Sequence, residues 1–478
     1  MAIDCLLSPV SEEFSLIDFG DPRRKARLAR IADQLGASPE SSLPKTMGNP
    51  SQLEGAYRFF SNPQIEPEQV LDAHIGCTVR RAMEAGKVLV IHDTTEFGFG
   101  GEGRKGLRRI SDGKKKGFLS HFSLCVGLDG QPLGVLGLYA WGREPERKGH
   151  RSQQQSQYDP DRESLRWMEA VHRTGELLCG KAEAIHITDR EGDCMELMAD
   201  SIEHGHRFVI RLAHDRRLDP GRRRVDVPML FETLATAPLR LEREVAISER
   251  KGGRPKQMTT RFPVRKMRRA TLEVRAQPLL ISPGNGAPLH LPDGLCLNFV
   301  EVSEPNPPEG EEPILWRLVT TEPIDTVEQV AAVVDMYRCR WVIEEFFKAI
   351  KSGCNYQELQ LETAHALLVA LSVYVAVAWR MLLMRWLDRY KPNEPATAVL
   401  STTQVQVLKA VRQKDRKPLP STPTVHDAFM AIAAIGGHLT QNGPPGWMIL
   451  SRGFAKLITM EIGWVAASEV YIKRSDQS

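Results

Sequence analysis

The sequence predicts an α/β protein in which a mixed sheet with flanking helices lies between two all-helical segments. Between residues 67 and 385, short apolar runs alternate with helical patterns, as in a sheet covered by helices. Within this part, residues 214–312 lose the alternation and are rich in Arg, Thr, Val, Pro and Gly, which predicts a β-rich insertion. Residues 1–66 contain no convincing strand pattern, and residues 386–478 indicate helices joined by Pro-rich, charged linkers.

The amino-terminal segment contains two predicted helices. Asp21-Pro22 has the form of a helix start, with Asp as the cap and Pro in the first turn. A second helix covers residues 52–60 and ends near Asn62-Pro63, because the residue before a proline disfavours helical backbone. The first helix start is followed by five basic residues, which indicate either a solvated helix face or contacts to phosphates: Arg23, Arg24, Lys25, Arg27 and Arg30.

The central segment begins with a short apolar strand, Val88–Ile91, just before Asp93. A hairpin is predicted from Phe118 to Trp141, with its turn at Asp129-Gly130. Another strand, 184–187, ends at Thr188-Asp189. The remaining predicted elements are helices over 163–179 and 195–203, strands over 208–210 and 315–319, and a long helix from about Thr326 to Ser352.

Two aspartates, Asp93 and Asp189, each follow an apolar strand. In α/β sheets, strand ends are where side chains converge on a ligand. Phosphodiester chemistry with two metal ions requires carboxylates that hold the ions about 3.5–4 Å apart, and oxygen ligands suit Mg²⁺ and Mn²⁺. An Asp after a strand is also a common turn residue or helix cap. Taken alone, the two aspartates leave a metal site and a structural role open.

The predicted long helix carries one narrow polar stripe. At roughly 100° per residue, the stripe falls within an arc of about 80°, opposite the apolar residues of the same helix. Cations beside a metal-binding carboxylate are what a phosphate-handling site requires. The alternative is a solvated face with ion pairs between successive turns. The stripe consists of Tyr337, Arg340, Glu344, Lys348 and Lys351.

The charge of the chain is unevenly distributed. Residues 211–275 contain 18 Lys and Arg against 8 Asp and Glu, so this window carries +10 and the remainder −7 of the net +3. A basic block inside a slightly acidic chain predicts a local contact with a polyanion, although a solvated loop has the same composition.

The cysteine pattern and the hydropathy exclude two other classes. None of the eight cysteines forms a CxxC pair, which argues against a zinc knuckle, and their scatter fits reduced thiols in a cytosolic protein. No charged segment followed by an apolar run stands at the start, so we expect no secretory signal. The most apolar run, His365–Trp379, has 15 residues, whereas a membrane span needs roughly 20. It predicts a buried core helix.

The run Tyr337–Lys351 resembles the Y-x2-R-x3-E-x6-K signature of bacterial insertion-sequence transposases of the DDE type. The segments 92–95 and 188–191 are similar to the two aspartate motifs of that family, and the closest group within it is the transposon-five type. The resemblance spans almost the whole chain, since it also takes in Gly20–Arg24, Glu54–Phe59, Met430–Ala433, Gly436-Gly437 and Pro445–Trp447.

This resemblance implies an RNase H-like catalytic core. Asp93, Asp189 and Glu344 would form a triad that binds two Mg²⁺ ions, for which Mn²⁺ would substitute. The helical carboxyl-terminal part would form a homodimer that pairs two DNA ends. The domains would be an end-binding domain at 1–66, a catalytic domain at 67–385 with the basic insertion at about 214–312, and a dimerisation domain at 386–478.

The resemblance also implies contacts to DNA. Trp316 is similar to a family tryptophan that stacks on a flipped base, although a tryptophan on a strand is also a common core residue. Where the family has bulky tryptophans after the first aspartate, this chain has Gly117–His121, so contacts made there do not carry over. The other implied contacts are those of Arg24, Arg27, Arg58 and Arg211 to DNA, and of Tyr337, Arg340 and Lys351, with Lys348 beside them, to the phosphates of the transposon end.

The function implied is cut-and-paste transposition. The substrates would be double-stranded DNA, both the inverted repeats at the transposon ends and the target, and the reactions would be nicking, hairpin formation and opening, and strand transfer. No membrane and no small-molecule cofactor is expected. Two alternatives stay open: a DNA-binding regulator of the same fold without catalysis, and an RNase H-like nuclease that cuts without joining.

Overall fold

The computed structural model describes residues 9–475 with several gaps, and side chains as far as residue 468. The chain forms two units, and each is built from segments that are distant in sequence. The first unit contains Met1–Gly86, Thr94–Arg147 and Trp341–Ser478, and the second contains Lys87–Asp93 and Lys148–Arg340. The gaps are residues 102, 111–114, 143–164, 219–226, 248, 250–263, 284–290, 440 and 442.

The first unit begins with helices, as predicted. A 3-10 turn, Val10–Phe14, precedes α1 (Pro22–Ala37), α2 (Leu43–Met47), α3 (Pro50–Phe60) and α4 (Pro67–Ala85). The Asp21 side chain caps α1 by accepting from the Arg23 backbone N at 2.9 Å. Asn49 caps α3 in the same way. Residues 9–66 contain no strand, which confirms the all-helical prediction for the described part of that segment.

A small sheet follows in the same unit. The second half of strand β1 (Lys87–Phe99) belongs to this sheet and pairs with β3 (Lys116–Gly127). Strand β3 also pairs with β4 (Pro132–Trp141) and with the short β2 (Arg108–Arg109). The β3–β4 pair is antiparallel, and its turn is closed by Asp129, whose side chain accepts from Gln131 N at 3.0 Å. The predicted hairpin is therefore confirmed.

The carboxyl-terminal part of the first unit is helical. Its elements are α9 (Trp341–Lys348), a π turn (Ala349–Gly353), α10 (Ala364–Tyr390), α11 (Thr402–Lys414), α12 (Val425–Ile435) and α13 (Trp447–Ser475). By length and composition alone α10 could cross a membrane, but 89% of its most apolar window is buried inside the protein. It packs against α4 and β4, with Trp379 Nε1 donating to the Pro132 carbonyl at 3.0 Å. The prediction of a buried core helix is confirmed.

The second unit is a mixed sheet with helices. From the first half of β1 the order is β5 (Glu183–Thr188), β6 (Arg207–Arg211), β10 (Leu315–Thr320), β9 (Leu295–Ser303), β8 (Arg268–Ile281) and β7 (Leu239–Ile247). The β1–β5 and β5–β6 pairs are parallel, and the others are antiparallel. The predicted β-rich insertion forms β7, β8 and β9, which extend this sheet.

Among the described residues of the second unit there are also four helices: α5 (Leu165–Leu178), α6 (Met195–Glu203), α7 (Leu230–Ala235) and α8 (Val327–Arg338). Helices α5, α6 and α7 bury apolar side chains against the sheet, in a core that includes Trp167, Leu197, Leu230, Phe208 and Phe299. The predicted helix over 163–179 corresponds to α5, with residues 163 and 164 outside the described part of the chain.

Two sequence predictions are wrong. Strand β1 does not end at Asp93 but continues to Phe99, because the Thr- and Phe-containing run after Asp93 also favours extended backbone. The long helix from Thr326 to Ser352 is interrupted: α8 ends at Arg338, α9 begins at Trp341, and a π turn follows it.

The predicted domain boundary after residue 385 falls inside α10. The three-domain division stays a prediction.

Candidate active site

Asp93 and Asp189 occupy matched positions on two neighbouring parallel strands. In the β1–β5 register Ile91 lies opposite Ile187, and each aspartate comes two residues later. Side chains two residues apart on a strand share a face, and neighbouring strands are about 4.8 Å apart. Asp189 lies just past β5 and still has extended backbone, with φ −86° and ψ −162°. The register thus brings both carboxylates to the same face of the sheet.

A tight turn after β5 holds Asp189. Its Oδ1 accepts from Glu191 N at 2.8 Å, so that Asp189 caps a 3-10 turn. Gly192 allows this turn to close on the strand, since a Cβ there would lie 2.5 Å from Thr188 Oγ1. A carboxylate has two oxygens, each with two lone pairs, so a capping role and a ligand role are compatible.

The chain beyond this turn is fixed by a buried ion pair between Asp193 and Arg216. Asp193 Oδ2 also accepts from the backbone N of Ala213 at 2.6 Å and of His214 at 2.8 Å. These bonds tie the segment after Asp189 to the segment after β6. The positions of the aspartate and of the β6 terminus are therefore coupled.

Asp93 has a buried cationic partner. Arg340 Nη1 donates to Asp93 Oδ2 at 2.9 Å, and the two side chains are only 9% and 12% exposed. Arg340 lies directly after α8, where its backbone N donates to the Tyr337 carbonyl at 3.0 Å. The helix interruption thus brings a guanidinium to the first aspartate, 247 residues away in sequence.

Aromatic and cationic side chains surround the aspartates. The rings of Trp316 and Tyr337 meet edge to face, with centroids 5.6 Å apart. Arg211, at the end of β6, donates from Nη2 to the Leu315 carbonyl at 3.1 Å. Burial raises the pKa of the Tyr337 hydroxyl, as does the Asp189 charge, although Arg211 and Arg340 act in the opposite direction. The predicted residues of the second unit therefore lie in one neighbourhood.

The same neighbourhood is rich in positive charge. Burial lowers the pKa of Arg211, and the nearby charges of Arg190 and Arg340 lower it further, against the raising effect of Tyr337. Clustered, partly desolvated guanidiniums favour a bound anion such as a phosphate. Arg190 was not among the sequence candidates. Its position directly after Asp189 was the signal available for it.

In the first unit, Lys351 is brought back onto β1. Its Nζ donates to Thr95 Oγ1 at 2.6 Å and lies 5.5 Å from the centroid of the Phe97 ring. The π turn that carries Lys351 contains an i to i+5 hydrogen bond, from Cys354 N to the Ala349 carbonyl at 2.8 Å. Such wide turns inside helices are frequent at functional sites.

The adjacent Glu344 and Glu345 have different surroundings. Glu345 accepts from Lys348 Nζ at 2.6 Å and lies 3.6 Å from the Arg385 guanidinium on α10. Glu344 is half-buried in the first turn of α9. Lys348 is exposed and pairs with Glu345. The expected stripe from Tyr337 to Lys351 does not form one continuous helical face, because the helix is interrupted between Arg338 and Trp341.

The amino-terminal arginines lie on α1 and α3. Arg24 donates to the Gln64 side chain, and Arg58 pairs with Glu54 one turn earlier. Arg27 crosses to α3, since a Cβ at Gly55 would lie 1.6 Å from its Nη1. A glycine at position 55 therefore lets the Arg27 guanidinium lie directly on α3.

The basic insertion uses part of its charge internally. Arg268 donates to Glu304 and to Glu311, the second at 2.7 Å from Nε, and its side chain is 14% exposed. Arg243 forms a two-point ion pair with Asp335 on α8. Arg269, by contrast, is 83% exposed. Only some of the +10 charge of residues 211–275 is thus available for an external partner.

Comparison with known families agrees with this arrangement. Residues 8–65 match the model described as transposase DNA-binding. Residues 84–379 match the model described as transposase DDE domain, which covers more than half of the chain. A DNA-binding segment followed by this catalytic domain defines a transposase. The chain belongs to the DDE transposase family.

Domains of this family use divalent metal ions, and the donors in the second unit fit one. Asp93 and Asp189 supply hard carboxylate oxygens from one face of the sheet, which suits Mg²⁺ or Mn²⁺. Arg340 contacts this carboxylate through Oδ2 of Asp93, and a carboxylate offers two oxygens with two lone pairs each. The donor set is that of a metal-dependent nuclease and transposase.

Proposed function

We propose that this transposase works by cut-and-paste, as in the transposon-five type, with Asp93, Asp189 and Glu344 holding two Mg²⁺ ions on an RNase H-like core. The observation that carries the proposal is that Asp93 and Asp189 each lie two residues beyond Ile91 and Ile187, the last paired residues of the parallel β1–β5 ladder. The mixed sheet of the second unit is consistent with such a core. Glu344 is assigned by its place in the signature and by the different environment of Glu345.

The proposed reaction consists of successive displacements at phosphorus. Water attacks the end phosphodiester, the P–O3′ bond breaks, and the released 3′ oxygen takes a proton. That 3′ hydroxyl attacks a phosphodiester of the opposite strand, which forms a hairpin and displaces the 3′ oxygen of the flanking DNA. A second water breaks the P–O3′ bond of the hairpin and frees the 3′ hydroxyl again. This hydroxyl attacks a phosphodiester of the target DNA and displaces a target 3′ oxygen, and each displaced oxygen takes a proton. When bound, the two ions supply Lewis-acid stabilisation of charge on the phosphate oxygens.

The protein's own side chains position the DNA in this proposal. Arg340 and Arg211 lie close to the aspartates and offer forked donors to a phosphate. Tyr337 adds a hydroxyl beside them. Lys351 brings a point charge back onto β1, and Lys348 stands one turn earlier.

Trp316 is proposed to stack on a base that is flipped out of the duplex. Its ring is half-buried against Tyr337, so one edge is already held in place. Base flipping costs a few kcal/mol, and stacking on an aromatic ring offsets part of it. Hairpin formation at a cut end requires this kind of distortion.

The partners proposed are transposon-end and target DNA and a second copy of the chain. Arg24, Arg27 and Arg58 would contact the transposon end, which the match of residues 8–65 to a DNA-binding model supports. The helices after residue 386 would pair two copies, each bound to one end. The place of action would be the bacterial cytosol, on the nucleoid.

The decisive experiment uses Asp93→Asn and Asp189→Asn on labelled end DNA. We expect both variants to bind the end and to lose metal-dependent nicking by several orders of magnitude, since Asn keeps the shape but not the ligand charge. Glu191→Gln, an exposed neighbour of Asp189, is the matched control and should nick normally. Nicking near the wild-type rate in either Asp variant would overturn the assignment.

The same assay also distinguishes the transposase from the two alternative functions, a DNA-binding regulator and a nuclease that does not join. A wild-type chain that binds ends but never cuts in Mg²⁺ or Mn²⁺ would be a regulator. A chain that cuts but fails to join a pre-cut end to plasmid DNA would be a nuclease. Cutting together with joining supports the proposal.

A further inference from the structure

A cluster of imidazoles and one carboxylate lies in the second unit, on α5 and α6. His172 Nε2 and Asp200 Oδ2 are 2.6 Å apart, and His204 Nδ1 lies 3.4 Å from Asp200 Oδ1. One donor atom from each of the three residues falls within 4.8 Å of the other two. None of the three belongs to the DDE triad.

We propose that His172, Asp200 and His204 form a binding site for a transition-metal ion of the Zn²⁺ class. Two imidazoles and a carboxylate are a common ligand set for Zn²⁺, with bonds of about 2.0–2.2 Å and water in the remaining position. Ligands around a tetrahedral ion at that distance are roughly 3.3–3.6 Å apart, which is within the spread of these donor atoms. Mg²⁺ prefers oxygen ligands only, so the site differs in class from the catalytic one.

The cluster needs little rearrangement to accept an ion. Asp200 and His204 are separated by one helical turn at the end of α6, so both side chains leave the same face. His204 Nδ1 now lies 2.9 Å from the Asp200 carbonyl, and this hydrogen bond would be exchanged for the metal. His172 and Asp200 are half-buried, and His204 is exposed at the entry.

A third imidazole, that of His206, packs against the cluster. The His206 ring centroid is 5.2 Å from that of His172, and the two rings meet edge to face. Gly175 on α5 makes room for it, since a Cβ there would lie 2.3 Å from His206 Cε1. The orientation of the His172 ring is thus restricted before any ion binds, and this reduces the entropy that binding must overcome.

The bound ion would join the two ends of the segment that carries Asp189. His172 and Asp200 are 28 residues apart, and β5 and the Asp189 turn lie between them. A metal that closes this loop restricts the unfolded chain and stabilises the folded one. The site is therefore expected to be structural, and to act on Asp189 by fixing the helices on either side of it.

The test is a Co²⁺ titration of the full chain, followed by displacement with Zn²⁺. To keep the catalytic carboxylates out of the signal, the titration is run with Asp93→Asn, Asp189→Asn and Glu344→Gln combined. We expect one equivalent of Co²⁺ to give the visible absorption of a low-coordinate site with nitrogen ligands, and Zn²⁺ but not Mg²⁺ to raise the thermal midpoint.

The variants decide which residues bind. His172→Ala, His204→Ala and the isosteric Asp200→Asn should each weaken Co²⁺ binding at least tenfold and abolish the Zn²⁺ effect. His214→Ala, an exposed histidine of the same unit, is the matched control and should bind normally. If His172→Ala lowers the thermal midpoint even in EDTA, the substitution destabilises the fold without any metal. Asp200→Asn is then the variant that tests the metal site. Unchanged Co²⁺ binding in Asp200→Asn and in His204→Ala would overturn the proposal.

Discussion

Glu344 and Glu345 allow a residue-scale prediction, because they share their chemistry and their helix but not their contacts. Glu345 is paired with Lys348 and Arg385 within the first unit. We expect Glu344→Gln to abolish nicking and strand transfer in both Mg²⁺ and Mn²⁺. Glu345→Gln should retain cleavage within about tenfold of wild type, since an exposed or half-exposed ion pair contributes roughly 0–1 kcal/mol.

Each variant is assayed by gel on labelled end DNA, after its end binding has been measured. Equal loss of cleavage in both variants would indicate a defect of the whole helix. Loss of cleavage in Glu345→Gln alone would mean that Glu345, and not Glu344, completes the triad.

Trp316 gives a second residue-scale prediction. In Trp316→Ala the first nick should persist while hairpin yield falls, because the lost stack is worth roughly 1–3 kcal/mol, or about 5- to 150-fold in the hairpin step. Trp341→Ala removes an indole that is 57% exposed and should leave the hairpin step intact. Rapid-quench analysis of nicked and hairpin products measures the two steps separately. A parallel loss of both steps would assign Trp316 to the core.

At this scale the sequence singled out Asp93 and Asp189 together with Arg211 and Arg340, but it did not single out Arg190. An apolar strand followed by Asp is a local pattern, and the β1–β5 register is consistent with what it suggested. Arg190 follows Asp189 directly, and its charge acts on Arg211, which belongs to another strand. The position of Arg190 in the sequence was therefore visible, but its proximity to Arg211 was not.

At the scale of elements, the interrupted helix shows the limit of periodicity. Residues 338–341 contain neither Gly nor Pro, so the sequence offers no reason for α8 to end at Arg338. The buried bond from Arg340 to Asp93 accompanies the break, and its partner is 247 residues away. Helix propensity differences of less than about 1 kcal/mol per residue are easily outweighed by a buried ion pair of this kind.

The strands of the basic insertion support a prediction about salt. Replacing Arg265, Lys266 and Arg269 with Ala should flatten the plot of log affinity against log salt by roughly 0.9 per lost phosphate contact. Arg268 is left in place because its carboxylate partners hold β8 to the chain after β9. The measurement is end binding by fluorescence anisotropy at several salt concentrations. An unchanged slope would mean that this face of the insertion does not contact DNA.

Arg268→Gln serves as the contrasting variant. It leaves the buried Glu304 without its cation and should lower the free energy of unfolding by on the order of 2 kcal/mol. Its salt slope should stay close to that of wild type. A flattened slope with normal stability would place Arg268 among the DNA contacts instead.

At the scale of the whole molecule, buried histidines should make stability depend on pH. Burial, together with the nearby His206 and His172, lowers the pKa of His186 to about 3. Its Nδ1 shares one hydrogen with His92 Nε2 at 3.0 Å. Below an unfolded pKa of about 6.5 the unfolded imidazole binds a proton that the folded one does not. Stability is thus complete above that pKa and falls as the pH drops towards 3.

The predicted change in the free energy of unfolding follows from this difference in proton binding. Between pH 7 and pH 5, His186 alone should remove about 2 kcal/mol from the free energy of unfolding. His186→Phe keeps the ring and should reduce the pH dependence by that amount, whereas the exposed His214→Phe should not. Urea unfolding at pH 7 and at pH 5 measures this change in the free energy of unfolding for each variant. The same pH dependence in His186→Phe and wild type would mean that the imidazole is already protonated in the folded state.

The two units could not be predicted from the sequence, although most of their elements could. Periodicity and turn residues identify segments one at a time, which is why the hairpin at Asp129 and the core helix α10 were predicted. The division into units depends on which segments meet, and the last segment of the first unit is separated from the one before it by residues 148–340. Linear boundaries at residues 66 and 385 therefore carry no information about this interleaving.

The bond from Ser451 Oγ to Glu40 Oε2, at 3.2 Å, joins residues 411 positions apart within the first unit. A ribosome that adds about 5–20 residues per second needs roughly 20–80 s to travel that distance. During that time α1 to α4 exist without α13, and the apolar faces that the later helices cover are open to other chains. The amino-terminal helices must therefore persist as a nascent, partly uncovered intermediate until synthesis is nearly finished, and a message cut short before residue 447 yields a polypeptide that cannot complete this unit.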